Sequence, residues 1–457
     1  MDDVVQPTDA ILHAFDWPYT EVAKCAKTIA QLGFASVLVS PPMRSEHTSD
    51  GTPWWQRYQP QDYRLIDNQL GNTDDFVAMT HALAKENLRL YVDVVFNHMA
   101  NESSLRDDLQ YPSESLLKQY RNNEAQTSQW RLFGDLSLPL FEQGDFERPF
   151  AIKNWRNRTQ VQKGRISGGQ SDPGLPTLKP TPRVIEAQRA YIKAIKQLGA
   201  VGFRIDAAKH LSLEHLKAVW DKELCQDCHV FGEIITDGGA TQQEYELFLA
   251  PYLADTALDA YDFPLFHTLR SALSSEGDLQ TLIDPYCFGQ ALSPQRAVTF
   301  IITHDIPNND VFLPLLVDET SEWLGYAYLL CRDGGVPLIY AEHRLSGIED
   351  SDVHLRWQTL WQSAQMSSLL SFHNHMHGFE MRIDSAQKEL LIFTRYHPDL
   401  GPKGWVVINK APHSISVSLP DWLGEQARCL WPEDCAQGLS QRQLTVAEKS
   451  YSLWVLD

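Results

Sequence analysis

Residues 202–206 read GFRID and place a carboxylate, Asp206, at the end of a short, largely apolar run. The same arrangement recurs at residues 231–233 (FGE) and 300–305 (FIITHD), and an upstream run at residues 93–98 reads DVVFNH. A strand that delivers a polar side chain at its C-terminal end, followed by a helix, is the repeating unit of a (β/α)8 barrel. The repeated pattern therefore predicts an α/β protein built on a TIM barrel.

Eight strand-like runs alternate with helix-like segments over most of the 457 residues, and eight is the number that a closed barrel requires. They are residues 10–15, 34–40, 88–96, 201–206, 230–235, 256–262, 297–303 and 336–340. The clearest helix lies at residues 184–198, where apolar side chains follow helical spacing until Gly199 ends it. Because strand, helix and strand separate Asp206 from Glu233, we expect these acids on adjacent strands.

Two parts of the chain depart from this alternation. Residues 99–182 are polar and contain Pro and Gly, and a loop of that length within a compact domain is usually functional. We interpret it as subdomain B, inserted after strand three and forming one wall of a cleft. After residue 378, short alternating runs predict a C-terminal antiparallel β-sandwich at 379–457. The barrel is then formed by residues 1–98 and 183–378.

The net charge of −20 argues against nucleic acid or an anionic membrane as a partner, because both would be repelled. No run approaches the roughly 18 apolar residues of a membrane-spanning helix. The first three residues, MDD, lack the basic-then-apolar pattern of a signal peptide. We expect a monomer that is cytoplasmic if Met1 is the native start, and secreted if a signal peptide was removed.

The seven cysteines do not define the compartment, because an odd number leaves at least one thiol unpaired in a monomer. Cys225 and Cys228 form a C-x-x-C pair, but no second pair follows at zinc-like spacing, so a metal or redox role is not favoured. Cys429 and Cys435 are close enough in sequence for a small local disulfide, which would indicate an extracellular location.

Carboxylates that converge on one barrel mouth suit the cleavage of a glycosidic bond. Retaining hydrolysis needs two carboxyl groups about 5–5.5 Å apart, one attacking the anomeric carbon and one protonating the leaving oxygen. We expect Asp206 to be the nucleophile, held ionised by Arg204, which lies two residues earlier on the same strand face. Glu233 would be the general acid and then the general base, with a pKa raised by its negative neighbours.

Asp305 is the expected third acid, which would stabilise the oxocarbenium-like transition state and bind sugar hydroxyls. His98 and His304 would donate hydrogen bonds to the same sugar. Each of these residues, taken singly, also has a structural explanation, such as a carboxylate that caps the next helix. Four such strand ends in one chain favour a site.

Residues 93–98 (DVVFNH), 202–210 (GFRIDAAKH), 231–234 (FGEI) and 300–305 (FIITHD) together resemble the motifs of the α-amylase family of glycoside hydrolases, family 13. Residues 39–42 (VSPP) and 54–60 (WWQRYQP) are similar to the animal-type members and their bacterial relatives. The resemblance covers most of the chain. It implies Asp206 as nucleophile, Glu233 as acid and base, and Asp305 as transition-state stabiliser, in agreement with the chemistry above.

The resemblance also implies the residues that contact the substrate. Tyr58 is expected to stack on the sugar being cleaved, since a pyranose presents an apolar C–H face to an aromatic ring. Trp54, Trp55 and Gln59 are expected in the donor subsites, although simple loop packing also explains the tryptophan pair. Lys209 and His210 resemble the acceptor-side residues of members that act on α-1,4 bonds.

In this family a structural calcium ion joins the inserted subdomain to the barrel. The resemblance implies Asn97 and the backbone carbonyl of His210 as ligands, whereas Thr177 stands where the family has an aspartate. Because calcium takes roughly six to eight oxygens, carboxylate among them, Asp172 is predicted to substitute as the acidic ligand.

Some animal-type members also bind an activating chloride ion. Arg204 matches one chloride ligand, but Thr303 stands where an asparagine is needed. Residues 341–343 offer no convincing basic replacement, although Arg344 is near. We do not expect chloride dependence.

Three functions follow from these observations. The leading one is endo-acting hydrolysis of α-1,4 bonds in starch, glycogen or maltooligosaccharides. A maltogenic exo-hydrolase or a glucanotransferase would use the same acids and differ in subsites and loops. A non-catalytic carbohydrate-binding homologue would be expected to lack one of the acids, and Asp206, Glu233 and Asp305 are all present.

Overall fold

A closed barrel of parallel strands forms the centre of the computed structural model, which describes residues 9–46, 53–169, 171–343, 352–424, 426–432 and 442–456. Its eight strands pair in the order β1-β8-β7-β6-β5-β4-β3-β2. They are β1 (Ile11–Phe15), β2 (Ser36–Val39), β3 (Arg89–Val94), β4 (Ala200–Ile205), β5 (His229–Gly232), β6 (Asp259–Tyr261), β7 (Ala297–Thr299) and β8 (Val336–Glu342). Every one overlaps a predicted run, so the predicted barrel is confirmed.

The chain contains helices that surround the barrel and three short ones, α3 to α5, in residues 99–182. They are α1 (Tyr19–Gln31), α2 (Thr73–Lys85), α3 (Glu114–Asn122), α4 (Glu124–Trp130), α5 (Arg158–Lys163), α6 (Pro182–Gln197), α7 (Leu213–Val219), α8 (Lys222–Cys225), α9 (Ala250–Asp255), α10 (Phe263–Leu273), α11 (Asp305–Asn308), α12 (Glu319–Cys331), α13 (Asp352–Thr359) and α14 (Ala364–His375). Over the described ranges, none is long and apolar enough to cross a bilayer.

The strands are buried almost throughout, because barrel side chains fill one face and helices cover the other. Close packing also explains the glycine that begins the GFRID stretch. A Cβ atom on Gly202 would lie 2.2 Å from Cγ of Tyr91, on the neighbouring strand β3. Any larger residue there would force these two strands apart.

Residues 99–182 leave the barrel after β3 and return beside it. They contain the short helices α3 to α5, and a separate small core at their base includes Leu116, Leu117 and Tyr120. On return, the backbone N–H of Leu178 donates to the carbonyl of Asn97 at 2.9 Å. The excursion therefore stands directly over the C-terminal end of β3.

The C-terminal part is an antiparallel sandwich, as predicted. Five strands pair in the order β9-β10-β11-β15-β13, and two more, β12 and β14, form a second sheet. They are β9 (Glu380–Ala386), β10 (Leu390–His397), β11 (Gly401–Asn409), β12 (Ile415–Ser418), β13 (Ala427–Trp431), β14 (Gln443–Val446) and β15 (Ser450–Leu456). Cys429 is disulfide-bonded, and Cys435, its predicted partner, lies outside the described residues.

Two buried cations attach this sandwich to the barrel. Lys410 donates through Nζ to the carbonyls of Ala272, Ser274 and Gly277 at 2.8, 2.8 and 2.6 Å, at the C-terminal end of α10. Arg395 donates to the carbonyl of Cys331, the last residue of α12, at 2.7 Å. A positive side chain at a helix C-terminus satisfies unpaired carbonyls and the helix dipole.

Candidate active site

One guanidinium, that of Arg204 on β4, binds carboxylates from three neighbouring strands. Its Nη1 donates to Asp93 of β3 at 2.6 Å and to Asp206, directly after β4, at 3.0 Å. Its Nη2 donates to Glu233, directly after β5. Arg204 and Asp93 are fully buried, so these charges interact in a medium of low polarity.

Backbone bonds align the ends of these strands. The N–H of Asp206 donates to Val94 at 3.0 Å, and the N–H of Glu233 donates to Ile205, also at 3.0 Å. Glu233 Oε2 accepts a further bond from the N–H of Ala207 at 3.2 Å. Ala207 has a left-handed φ of 49°, which turns the chain so that this N–H faces the acid.

The acids at the barrel mouth are perturbed by burial and by each other. Burial raises the pKa of Asp206 well above its usual range; Arg204 opposes this shift and Glu233 adds to it. Burial, followed by the charge of Glu233, raises the pKa of Asp305 to about 8. Mutually perturbed carboxyl groups in a cleft are a signature of a catalytic site.

An aromatic stack stands beside the acids. The ring of His304 packs between Phe15 and Tyr58, with centroid separations of 4.7 and 5.1 Å. The Tyr58 hydroxyl donates to Asp93 at 3.0 Å, and the ring edge meets Trp54 at 5.8 Å. Burial lowers the pKa of His304 well below its usual range, so the ring is neutral.

His98 has a different role from the predicted one. Its Nε2 donates to the carbonyl of Tyr58 at 2.9 Å, because a carbonyl can only accept. Its Nδ1 then accepts from the side chain of Asn97 at 3.3 Å. With both nitrogens engaged, His98 holds the Tyr58 segment instead of pointing a free donor at a sugar. Burial also lowers the pKa of His98 to about 4.

The remaining predicted subsite residues flank this centre. Trp55 is 41% exposed, as a platform for a ligand would be. Gln59 accepts through Oε1 from the backbone N–H of Asn101 at 2.8 Å, so it links the 54–60 stretch to the inserted segment. Its predicted contact with the substrate stays a prediction.

On the opposite side, Lys209 and His210 lie in a short helical turn, Ala208–His210, immediately after Asp206. Lys209 pairs with Glu244 at 2.9 Å. His210 Nδ1 donates to the carbonyl of Val161 at 2.8 Å, and the half-exposed Trp155 packs edge-on against its ring at 5.7 Å. The inserted segment therefore supplies part of this wall.

Four residues of this centre were not predicted as site residues: Asp93, Phe15, Glu244 and Trp155. Asp93 carried a readable signal, because it opens the DVVFNH run and pairs in register with Arg204 on the adjacent strand. The other three have no local sequence signal, since only the fold brings them to the mouth.

Comparison with known proteins decides the family. A family model described as alpha amylase, catalytic domain, matches residues 23–246. An α-amylase of Aeromonas hydrophila is 45% identical over 405 residues, which are 89% of this chain and 85% of that protein. The chain belongs to the α-amylase family. As a member of that family it is a glycoside hydrolase.

Solved structures of α-amylase family enzymes agree with this fold. The crystal structure of α-amylase I from Eisenia fetida has a TM-score of 0.74 at 19% identity, covering 99% of this chain and 95% of that one. A cyclomaltodextrin glucanotransferase, CldA, has a TM-score of 0.70 at 17% identity, covering 98% and 99%. At these identities the likeness supports the fold alone.

At the calcium position implied for this α-amylase family member, a neutral side chain stands where the family has an aspartate. Thr177, at the position of the family's aspartate, donates through its hydroxyl to the carbonyl of Gly164 at 2.9 Å. Asn97 lies beside it, but Asn97 and Thr177 offer only neutral oxygens.

Asp172, the predicted acidic ligand, is engaged elsewhere. Its carboxylate accepts from the Asn101 side chain at 2.7 Å and from the N–H of Gly174 at 2.9 Å, and this N–H lowers its pKa. Within the described ranges no hydrogen bond joins Asp172 to Asn97 or His210. Donors already use this carboxylate, and Asp172 as a calcium ligand stays a prediction. Calcium sites usually include carboxylate oxygen, and Asn97, Thr177 and the carbonyl of His210 supply none.

The structure describes only some of the residues that could bind a chloride ion. Arg204 is committed to the three carboxylates, and Thr303 is buried next to the histidine of the stack. Arg344 lies outside the described residues. The expectation that chloride is not required stays a prediction.

Proposed function

We propose that this chain is a retaining, endo-acting α-amylase that hydrolyses α-1,4-glucosidic bonds in starch, glycogen or maltooligosaccharides. The observation that carries the proposal is the convergence of Asp206, Glu233 and Asp305 on one barrel mouth, two of them bound to the same arginine. The name of the Aeromonas relative supports the same substrate class.

In this mechanism Asp206 attacks the anomeric carbon while Glu233 protonates the departing glycosidic oxygen. A covalent glycosyl-enzyme forms, and Glu233, now ionised, deprotonates the water that hydrolyses it. Arg204 orients the Asp206 carboxylate throughout. Because Glu233 also contacts Arg204 before substrate enters, we propose that the sugar displaces this contact and leaves Glu233 free to carry its proton.

Asp305 and His304 would hold the sugar ring in the reactive subsite. With its raised pKa, Asp305 is protonated at neutral pH in the free enzyme and can both donate to and accept from sugar hydroxyls. As positive charge builds on the ring in the transition state, the oxygen atoms of Asp305 interact with the ring more favourably than in the ground state. The acid then stabilises the transition state more than the ground state, which is what accelerates the reaction.

The subsite assignments follow the positions of the side chains around the acids. We propose that Tyr58, with Trp54 and Trp55, contacts the donor-side sugars, and that Lys209 and His210 contact the acceptor side. His98 and Gln59 act through their neighbours, by holding Tyr58 and the inserted segment in place.

The predicted domain boundaries and assembly are part of this proposal. Residues 1–98 and 183–378 form the catalytic barrel, 99–182 the inserted subdomain that supplies one wall of the cleft, and 379–457 the C-terminal domain. The chain acts as a monomer on an α-glucan.

The competing functions are glucanotransfer and maltogenic exo-hydrolysis. The chain shares its fold with a cyclomaltodextrin glucanotransferase, so glucanotransfer has to be tested. The deciding experiment is the product profile from soluble starch and maltoheptaose, comparing wild type with Glu233→Gln. An endo-amylase yields a ladder of short α-anomeric maltooligosaccharides, which disappears in the variant. Products longer than maltoheptaose would identify a transferase. Folded wild type that forms no product would contradict both functions.

A further inference from the structure

A second cluster of titratable side chains lies at the barrel end opposite the acids. Asp9 precedes β1, His373 is in α14, and His377 follows that helix. Oδ1 of Asp9 is 2.5 Å from Nε2 of His373 and 3.6 Å from Nε2 of His377. The ligand atoms of the three residues lie within 4.8 Å of one another. Active-site residues end the barrel strands, whereas Asp9 lies before the first one begins.

The hydrogen bonds around this cluster orient its nitrogens inward. Nδ1 of His373 is 3.0 Å from the carbonyl of Leu330, and because a carbonyl only accepts, that nitrogen carries the proton. Nε2 faces Oδ1 of Asp9 at hydrogen-bond distance, so a proton lies between these two atoms and a cation can bind both once it replaces that proton. A histidine that donates its other N–H to a carbonyl is the arrangement typical of metal ligands.

His377 adds an unpaired atom. Its Nε2 is buried and, within the described ranges, has no hydrogen-bond partner, although it faces Asp9. A buried polar atom without a partner costs free energy. Such an atom, next to a carboxylate and a second oriented imidazole, is explained if a cation shares all three ligands.

We propose that Asp9, His373 and His377 bind a divalent transition-metal cation of the zinc class. Two imidazole nitrogens and one carboxylate oxygen suit zinc and its neighbours, whereas calcium and magnesium prefer all-oxygen sets. A cavity of about 550 Å³ adjoins the three residues, so water can complete the coordination.

The charges on the cavity wall allow a cation. Asp333 and Glu380 lie there with Arg332 and Arg395. The guanidinium of Arg395 does not compete for Asp9, because it is bonded to backbone carbonyls, those of Cys331 and Met376 among them.

The ion would link two distant parts of the chain. Asp9 and His373 are 364 residues apart in sequence, one leading into the first barrel strand and the other preceding the C-terminal sandwich. A cation that binds only the folded chain raises its melting temperature in proportion to the logarithm of its concentration. The turnover number is not expected to change, because the acids lie at the other end of the barrel.

The test uses the full-length chain without a histidine tag, stripped with a chelator and then freed of it. Zn²⁺ is titrated by calorimetry, and the melting temperature is followed with and without Zn²⁺. We expect one equivalent to bind and the melting temperature to rise. Co²⁺ in place of Zn²⁺ should give a visible absorption band, which reports the coordination without any variant.

Asp9→Asn and His377→Gln should each weaken the affinity at least about tenfold, the scale on which even secondary changes at metal sites act. His375→Gln is the matched control, because His375 is exposed on α14, the helix that carries His373, and bonds to the carbonyl of Ser371. Unchanged hydrolysis of starch shows that each variant is folded; should one fail to fold, the other variant and the Co²⁺ spectrum decide. The proposal would be overturned if Zn²⁺ did not bind to wild type. It would also be overturned if wild type and His377→Gln bound Zn²⁺ equally well, because the cluster would then be only a histidine–aspartate ion pair.

Discussion

The ring of His304 lies nearly parallel to the ring of Tyr58, with centroids 5.1 Å apart and planes inclined by 14°. Because Tyr58 also donates to Asp93, its ring is held at two points. The aromatic face expected against the sugar is therefore fixed before a substrate arrives, which lowers the entropy cost of ordering it.

Substitution of Tyr58 should separate these two functions. Tyr58→Phe keeps the ring and loses the bond to Asp93, so we expect the free energy of unfolding to fall by about 1 kcal/mol with little change in KM. Tyr58→Ala removes the ring, and kcat/KM should fall at least about tenfold. Urea unfolding and steady-state kinetics on maltoheptaose measure both. Equal kinetics in the two variants would refute a stacking role.

Arg204→Lys tests the shared guanidinium. A lysine ammonium cannot present a planar fork to three carboxylates, so at least one buried acid loses its partner. We expect the free energy of unfolding to fall by about 3–5 kcal/mol and kcat to fall at least about a hundredfold. Arg382→Lys, at a half-exposed arginine of the C-terminal sheet, is the control that should change neither value.

Asp305 should make the enzyme less stable as the pH rises. Its pKa is about 8 in the folded chain, against about 3.9 for an unfolded aspartate, so the folded state retains a proton that the unfolded state releases. The unfolding free energy therefore decreases between about pH 4 and pH 8 through this group. Asp305→Asn removes this pH dependence, because an asparagine side chain does not titrate.

We accordingly expect Asp305→Asn to melt at a higher temperature than wild type near pH 8, and the two to converge near pH 4. Calorimetric melts across that pH range measure the difference. A variant less stable than wild type near pH 8, or a constant difference across the range, would show that the acid is not perturbed as inferred. The same variant should lose nearly all turnover.

Thr177→Asp tests how the inserted segment is held. In wild type, the bond from Thr177 to Gly164 and the backbone bond from Leu178 to Asn97 close this junction without a carboxylate. We expect a calcium chelator to leave the wild-type melting temperature unchanged. Thr177→Asp supplies the missing carboxylate, and its melting temperature should rise when calcium is added. A fall in wild type on chelation would establish calcium binding instead.

The fold was readable from sequence because each barrel strand is a local apolar run, and Gly202 marks the close approach of two of them. The acids proposed as catalytic were predictable for a similar reason: Asp206 and Glu233 directly follow strands, and Asp305 lies shortly after β7, at the start of α11, so all three were expected at the barrel mouth. The hydrogen-bond partners of the side chains were not predictable from the sequence. His98 was expected to face the sugar, and only the fold reveals that Tyr58 and Asn97 use both of its nitrogens.

Contacts between residues that are far apart in the chain could not be predicted from the sequence. Asp172 was predicted as a substitute calcium ligand, and only the fold shows that Asn101, 71 residues away in sequence, donates to its carboxylate. Asp9 and His373 carry no common motif, because nearly the whole chain separates them. The periodicity of apolar residues and the position of a residue along a strand are local properties. A hydrogen bond between distant residues depends instead on how the whole chain packs.

The ends of α10 and α12 depend on residues that are synthesised late. Lys410 and Arg395, whose side chains bond to these ends, both lie in the C-terminal domain. The last barrel strand ends at Glu342, so all eight barrel strands are synthesised before either cation. Until then the final carbonyls of both helices lack these partners. The last hydrogen bonds at these two helix ends can therefore form only after the C-terminal strands have been synthesised.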